Sequence, residues 1–182
     1  MRAMMVASVM LMLTACATER VITPREYLDE TTATTITIVA DPWIFNRKDA
    51  PPQLDFVHLY AIDVNRMGEH RQYLVVVKYW PAADLPGKAR PALAVQLPER
   101  EITLDPVEED GRALGIGEPI DKSAPRSAQS WFYPLEKKHL EAIGRARELS
   151  VALVVGDARA SYVVWRDGSA EMSEFAAVAQ DL

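Results

Sequence analysis

The chain has 182 residues, 20 of them basic and 26 acidic, for a formal charge of −6 at neutral pH. An acidic chain argues against nucleic acid as a partner, because that binding rests on neutralising phosphates with Lys and Arg, and it offers no general attraction to anionic lipid. The length suits a single domain that buries roughly two-thirds of its unfolded surface, and the lone cysteine, Cys16, has no second thiol with which to form an internal disulfide.

Residues 1–15 carry one charged side chain, Arg2, ahead of an apolar run over 4–15 that is followed by Thr18, Glu19 and Arg20. A membrane-spanning helix needs about 20 apolar residues, so this shorter run predicts the apolar core of a secretory signal. Ordinary cleavage wants small residues at −3 and −1, and Leu13 fits that pattern poorly. Leu13-Thr14-Ala15-Cys16 instead resembles the lipobox of bacterial lipoproteins. The resemblance implies cleavage just before Cys16, a diacylglycerol on its thiol and a further acyl chain on the freed amine. Two or more chains anchor stably, at about 0.8 kcal/mol per buried CH₂, so the membrane is an expected partner through lipidated Cys16. Ala17 stands where an aspartate would act as an inner-membrane retention signal, and the resemblance thereby implies the outer membrane, facing the periplasm. Loss of residues 1–15 removes Arg2 and no acid, which takes the formal charge to −7.

Residues 16–32 are polar around Pro24 and predict a tether from the lipid to the domain, which then occupies 33–182. TTITIVA (34–40) alternates Ile36 and Ile38 against Thr35 and Thr37, as a half-buried strand does, and Asp41-Pro42 breaks it. WIF (43–45) leads into the loop-like NRKDAPPQ. FVHLYAIDV (56–64) and QYLVVVKYW (72–80) are rich in β-branched and aromatic residues, with Gly68 in the turn between them. The second is apolar on both faces, which predicts a strand covered on both sides. ALAVQL (92–97), EITLDPV (101–107) and SWFYPL (130–135) predict further strands, separated by the proline-containing stretches 81–91 and 117–127.

LEKKHLEAIGRARELS (135–150) predicts a helix with Leu140, Ile143 and the apolar stem of Arg147 on one face, although Gly144 costs about 1 kcal/mol against alanine. LSVALVV (149–155) and SYVVW (161–165) around Gly156-Asp157 predict a hairpin. The tail places Met172, Phe175, Ala176, Ala179 and Leu182 on one helical stripe. Many short strands and two short helices predict a mainly β, antiparallel, sandwich-like domain, with a two-layer α+β arrangement as the alternative.

Chemistry-bearing motifs are sparse. His58, His70 and His139 form no metal-ligand spacing such as HxH or HExxH, so no metal and no cofactor is expected, and His58 reads as a satisfied strand histidine. Ser169 in DGSAE lacks the flanking glycines of a nucleophile elbow. Tyr133 and Lys137 stand four apart, as in short-chain dehydrogenases, but without the glycine-rich first turn that chemistry needs. Glu108, Glu109 and Asp110 are consecutive and read as a solvated turn. Trp43 and Phe45 share one side of an extended segment, as do Trp131 and Tyr133. Core is the first reading for all four, and an exposed Trp43 with Phe45 would instead anchor a partner.

Tyr-Leu-Asp-Glu through Thr34, followed by Pro42 and Phe45, also resembles the start of the mature domain in a group of proteobacterial envelope lipoproteins, a likeness that implies no activity. The expectation is therefore a lipid-anchored cell-envelope protein, a non-enzymatic binding or structural module whose partner is an envelope protein or glycan. A periplasmic hydrolase using dispersed carboxylates and a carrier of an apolar ligand are the alternatives. A pocket that sets His58 beside a carboxylate would favour the enzyme, and a contiguous apolar surface would favour the binder.

Overall fold

The computed structural model describes residues 23–49, 55–79 and 89–180. The signal segment, Cys16, most of the tether and Leu182 lie outside them. Among the described residues the chain forms ten strands and two helices: β1 (Arg25–Asp29), β2 (Thr34–Ile38), β3 (Trp43–Arg47), β4 (Phe56–Arg66), β5 (Glu69–Lys78), β6 (Ala92–Gln96), β7 (Glu101–Leu104), β8 (Gln129–Pro134), α1 (Lys137–Arg145), β9 (Ser150–Val155), β10 (Ala158–Arg166) and α2 (Ser169–Gln180). The domain is mainly β and antiparallel throughout. The closing helix–strand–strand–helix run forms no separate layer, because β9 and β10 join the common sheet.

Two strands set the geometry: β1, which the pattern does not show, and β3, which it shows only in part. The tether assigned to 16–32 gives up its last part to β1, which pairs with β2 from Arg25↔Ile38 to Asp29↔Thr34. REYLD is mostly solvent-facing, and an edge strand held by backbone bonds leaves little hydrophobic alternation to read. β3 extends beyond Phe45 through Asn46 and Arg47.

The long β4 pairs with β5 along one edge, while its other edge serves two strands. Residues 62–65 pair with β2 and residues 56–59 with β3. β2 and β3 are thus two halves of one line of backbone, interrupted at 39–42. Pro42 has no N–H for a ladder, and after the break β3 turns its free edge to β10. Gly168, just past β10, makes this approach possible: a Cβ there would lie 2.7 Å from the Trp43 amide nitrogen and 2.9 Å from the Pro42 carbonyl carbon.

From β8 the sheet runs through β5, β4, β3, β10, β9 and β6 to β7 and curls until its ends meet without closing. The Tyr133 hydroxyl of β8 donates to the Pro91 carbonyl ahead of β6 at 2.9 Å, and Val107 N–H beyond β7 donates to Phe132 O of β8 at 2.9 Å. The concave face holds Leu59, Leu74, Val76, Leu93, Val95, Leu153 and Tyr162, all buried. Alternate residues of β4 and β5 (Ile62, Val75, Val77) point outward and are also buried, because the coil over 105–128 lies across them with Ile116 and Ile120 inserted. That coil is why β5 reads as apolar on both faces. It is fixed by Asp29, whose carboxylate accepts from the Gly117 and Glu118 amides at 2.5 and 3.1 Å.

α1 and α2 pack against each other, and Gln72 Nε2 of β5 donates to Ala179 O of α2 at 3.1 Å. Gly144 is where the helices touch: a Cβ there would meet the Ala176 Cβ at 2.7 Å, so glycine's propensity cost is offset by close approach. Arg147 lies beyond the end of α1 and is exposed. It does not contribute to the helix face as its spacing predicts.

Candidate functional site

The break between β2 and β3 opens a cleft of about 320 Å³ on the outer face of the sheet. Ala40, Asp41 and Pro42 form one wall, His58 and Tyr60 of β4 the floor, and Asp121 with Ser123 of the coil the opposite wall. Alternation puts His58 and Tyr60 on the same side of β4, and Tyr79, just past β5, brings its ring to 4.4 Å from the His58 imidazole.

One carboxylate organises these groups. Asp121 Oδ2 lies 3.1 Å from His58 Nδ1 and accepts from the hydroxyls of Tyr60 at 2.8 Å and Tyr79 at 2.6 Å. Its Oδ1 accepts from the Ser123 amide at 2.9 Å and the Ser123 hydroxyl at 2.6 Å. Burial pushes the Asp121 carboxyl up, but the hydrogen bonds from Ser123, Tyr79 and Tyr60 outweigh it and hold its pKa at about 2. The carboxylate stays ionised and every strong acceptor direction on it is used.

The tyrosines respond in the opposite sense. Burial, then the hydrogen bond to the Asp121 carboxylate, raises the Tyr60 hydroxyl far above its ordinary value and pushes Tyr79 up to about 12, so both remain protonated donors. His58 is lowered, first by burial and also by the Arg166 charge, against the opposing pull of Asp121. With Nδ1–H directed at Asp121, the neutral ring leaves Nε2 as an acceptor. Such an imidazole can accept a proton or a hydrogen bond, and Asp121 orients it. Arg25, Lys122 and Arg166 line the same cleft. Arg166 pairs with Asp41 at 3.1 Å and Lys122 with Glu118 at 2.7 Å.

The residues singled out by sequence separate on the structure. The partner-anchor assignment of Trp43 and Phe45 is corrected: they are 1% and 0% exposed, stacked at 5.7 Å on the concave face, because β3 has that face turned to the core. Trp131 and Tyr133 are core as well. Tyr133 spends its hydroxyl on Pro91 while Lys137 begins α1 at the surface, so these two do not make a Tyr–Lys site. His70 lies 2.7 Å from the buried Asp63. Glu108, Glu109 and Asp110 are exposed in a turn, and no group of three or more His, Cys, Asp or Glu is placed to hold a metal ion among the described residues.

Asp121, Tyr60, Tyr79 and Arg166 escaped notice in the sequence. Asp121 sits 61 and 63 residues from Tyr60 and His58, so no local spacing joins them. The one available signal was His58 and Tyr60 at i, i+2, two polar-tipped rings on the same side of a strand. Compared with known proteins, the chain matches no family model, no curated protein and no solved structure.

Proposed function

We propose that the chain is a lipid-anchored envelope protein whose β domain is a binding module, with the His58 cleft as its recognition site. The Leu13–Cys16 motif supports the anchor. The observation that carries the binding reading is the saturation of Asp121: it accepts from Tyr60, Tyr79 and Ser123 and faces His58 Nδ1. A carboxylate so occupied fixes a rigid polar wall, the preorganisation that small binding sites use, and it has no capacity left to act as an acid or base itself.

Photocrosslinking in living cells from a probe at Lys122, which is exposed on the rim, tests this. One envelope component is expected to be trapped, and the adduct is expected to disappear in His58→Ala with the melting temperature unchanged. Folded protein that gives no adduct from this position overturns the reading.

A second reading is favoured by one specific feature. An imidazole oriented by a carboxylate through Nδ1 is the arrangement of a general base. On that reading His58 Nε2 takes a proton from a substrate or water in the cleft. Turnover of a small ester or glycoside that is lost in His58→Gln and follows the imidazole titration would establish catalysis in place of simple binding.

A further inference from the structure

The cleft continues onto an apolar ledge. The register aligns Arg166, Ile44 and His58 in one row across β10, β3 and β4, and Val163, Asn46 and Phe56 in a neighbouring row on the same outer face. Trp165 packs edge-on against Phe56 with ring centroids 5.7 Å apart, yet it is 63% exposed, and Val163 is 42% exposed. A tryptophan braced against a neighbouring ring and largely open to solvent is the type of residue that anchors contacts at a membrane interface. At the other side of the cleft stands Arg25, exposed and in no ion pair among the described residues. The rim therefore carries Arg25, Lys122 and Arg166 although the chain as a whole is acidic.

We propose that this face receives the acidic headgroup of a membrane lipid, with Arg25, Arg166 and His58 Nε2 facing the acid and Trp165, Phe56 and Val163 facing the apolar part. The proposal rests on the lipid-anchored binding reading, because Arg25 follows Cys16 by only nine positions, a length of chain that reaches no more than roughly 30 Å. The side of the domain where the chain enters is then the side nearest the bilayer. Guanidinium groups suit phosphate and carboxylate by geometry as well as charge.

Binding has a built-in signature at His58. The charged and titratable groups around it are Asp121 and Lys122 from the coil, Tyr60 from its own strand, Tyr79 beyond β5, Arg166 of β10, Asp41 at the β2–β3 break and Arg25 of β1. Burial and the Arg166 charge disfavour imidazolium at His58. An anion at Nε2 reverses that balance, so the acid binds together with a proton taken from solvent onto Nε2. Affinity then rises as pH falls through the titration of the bound ring and levels off below that of the free ring, which burial holds under the ordinary imidazole value.

The test uses the full chain in neutral dodecyl maltoside micelles, with dodecyl phosphate as probe and the His58 ring resonances as readout. Dodecyl phosphate is expected to shift those resonances saturably and raise their titration midpoint. Inorganic phosphate should act at least about tenfold more weakly, and Arg25→Gln should weaken dodecyl phosphate by about tenfold, the scale of one charge-assisted hydrogen bond, with the melting temperature unchanged. An unmoved His58 in folded protein overturns the proposal, and if the Lys122 crosslink persists in that case, binding stands and only the ligand class fails. Equal response to the two phosphates overturns the lipid assignment, as does an Arg25→Gln variant that binds like the parent.

Discussion

Two clusters in this molecule are built on the same plan and face opposite ways. On the concave side the Asp55 carboxylate meets Lys78 Nζ, the Tyr162 hydroxyl at 3.2 Å and Arg47 at 3.4 Å. On the outer side the Asp121 carboxylate meets two tyrosines, a serine and a histidine. Lys78 is 0% exposed, donates to the Tyr162 hydroxyl at 2.7 Å and is shut away from solvent. His58 borders an open cleft. A cation and a carboxylate enclosed together hold each other in place and offer little to a ligand. A carboxylate saturated by donors, with a ring nitrogen left over at a cleft, offers an acceptor in a fixed position.

The comparison can be broken from either side. The largest effect is expected where a charge is added without a partner: Val77→Asp, at a site 1% exposed beneath the coil, should cost several kcal/mol of a total of about 5–15 and leave little folded protein in solubility and circular dichroism assays. Next is Lys78→Ala, which removes the fully buried cation and leaves Asp55 with only Arg47 and the Tyr162 hydroxyl. Removing one partner of a buried pair costs about 3–5 kcal/mol, so the melting temperature should fall by roughly 10 °C, and a milder loss in the Lys78→Met, Asp55→Asn double variant would show that the under-compensated Asp55 charge is the cause.

On the outer side the costs should be smaller and should depend on pH. Asp121 and Asp29 are both held at about 2, below the unfolded carboxylate value of about 3.9. The unfolded chain binds protons first, so their contribution is complete above about pH 4 and is lost as pH falls toward 2. Urea midpoints at successive pH values should decline in that window, and Asp121→Asn should flatten part of the decline while raising amide exchange at Ser123. The smallest effect is expected for Tyr79→Phe, which deletes one donor at the rim of the cleft, for about 1 kcal/mol in chemical denaturation. A loss as large as that of Lys78→Ala would mean that the outer cluster, too, is chiefly structural.

What the sequence by itself determined follows from short-range physics. Alternation of β-branched and aromatic residues placed β2, β4, β5, β6, β7, β8, β9 and β10, and helical spacing marked α1 and α2, since a side chain's burial repeats every two residues in a strand and about every 3.6 in a helix. The two-sided character of β5 was legible for the same reason. The Leu13–Cys16 motif is a contiguous pattern and was visible without any fold. Tertiary structure alone decided the rest. β1 enters the sheet through backbone hydrogen bonds, which any sequence of its length offers. Trp43 and Phe45 took the concave face because β3 continues the line of β2 beyond a proline break, and no local pattern says toward which side such a line bends. The cleft depends on Asp121 reaching back over some sixty residues to His58 and Tyr60, from a coil held at its other end by Asp29. Periodicity reports which faces of each element are buried, but contacts across that separation exist only once the chain has folded.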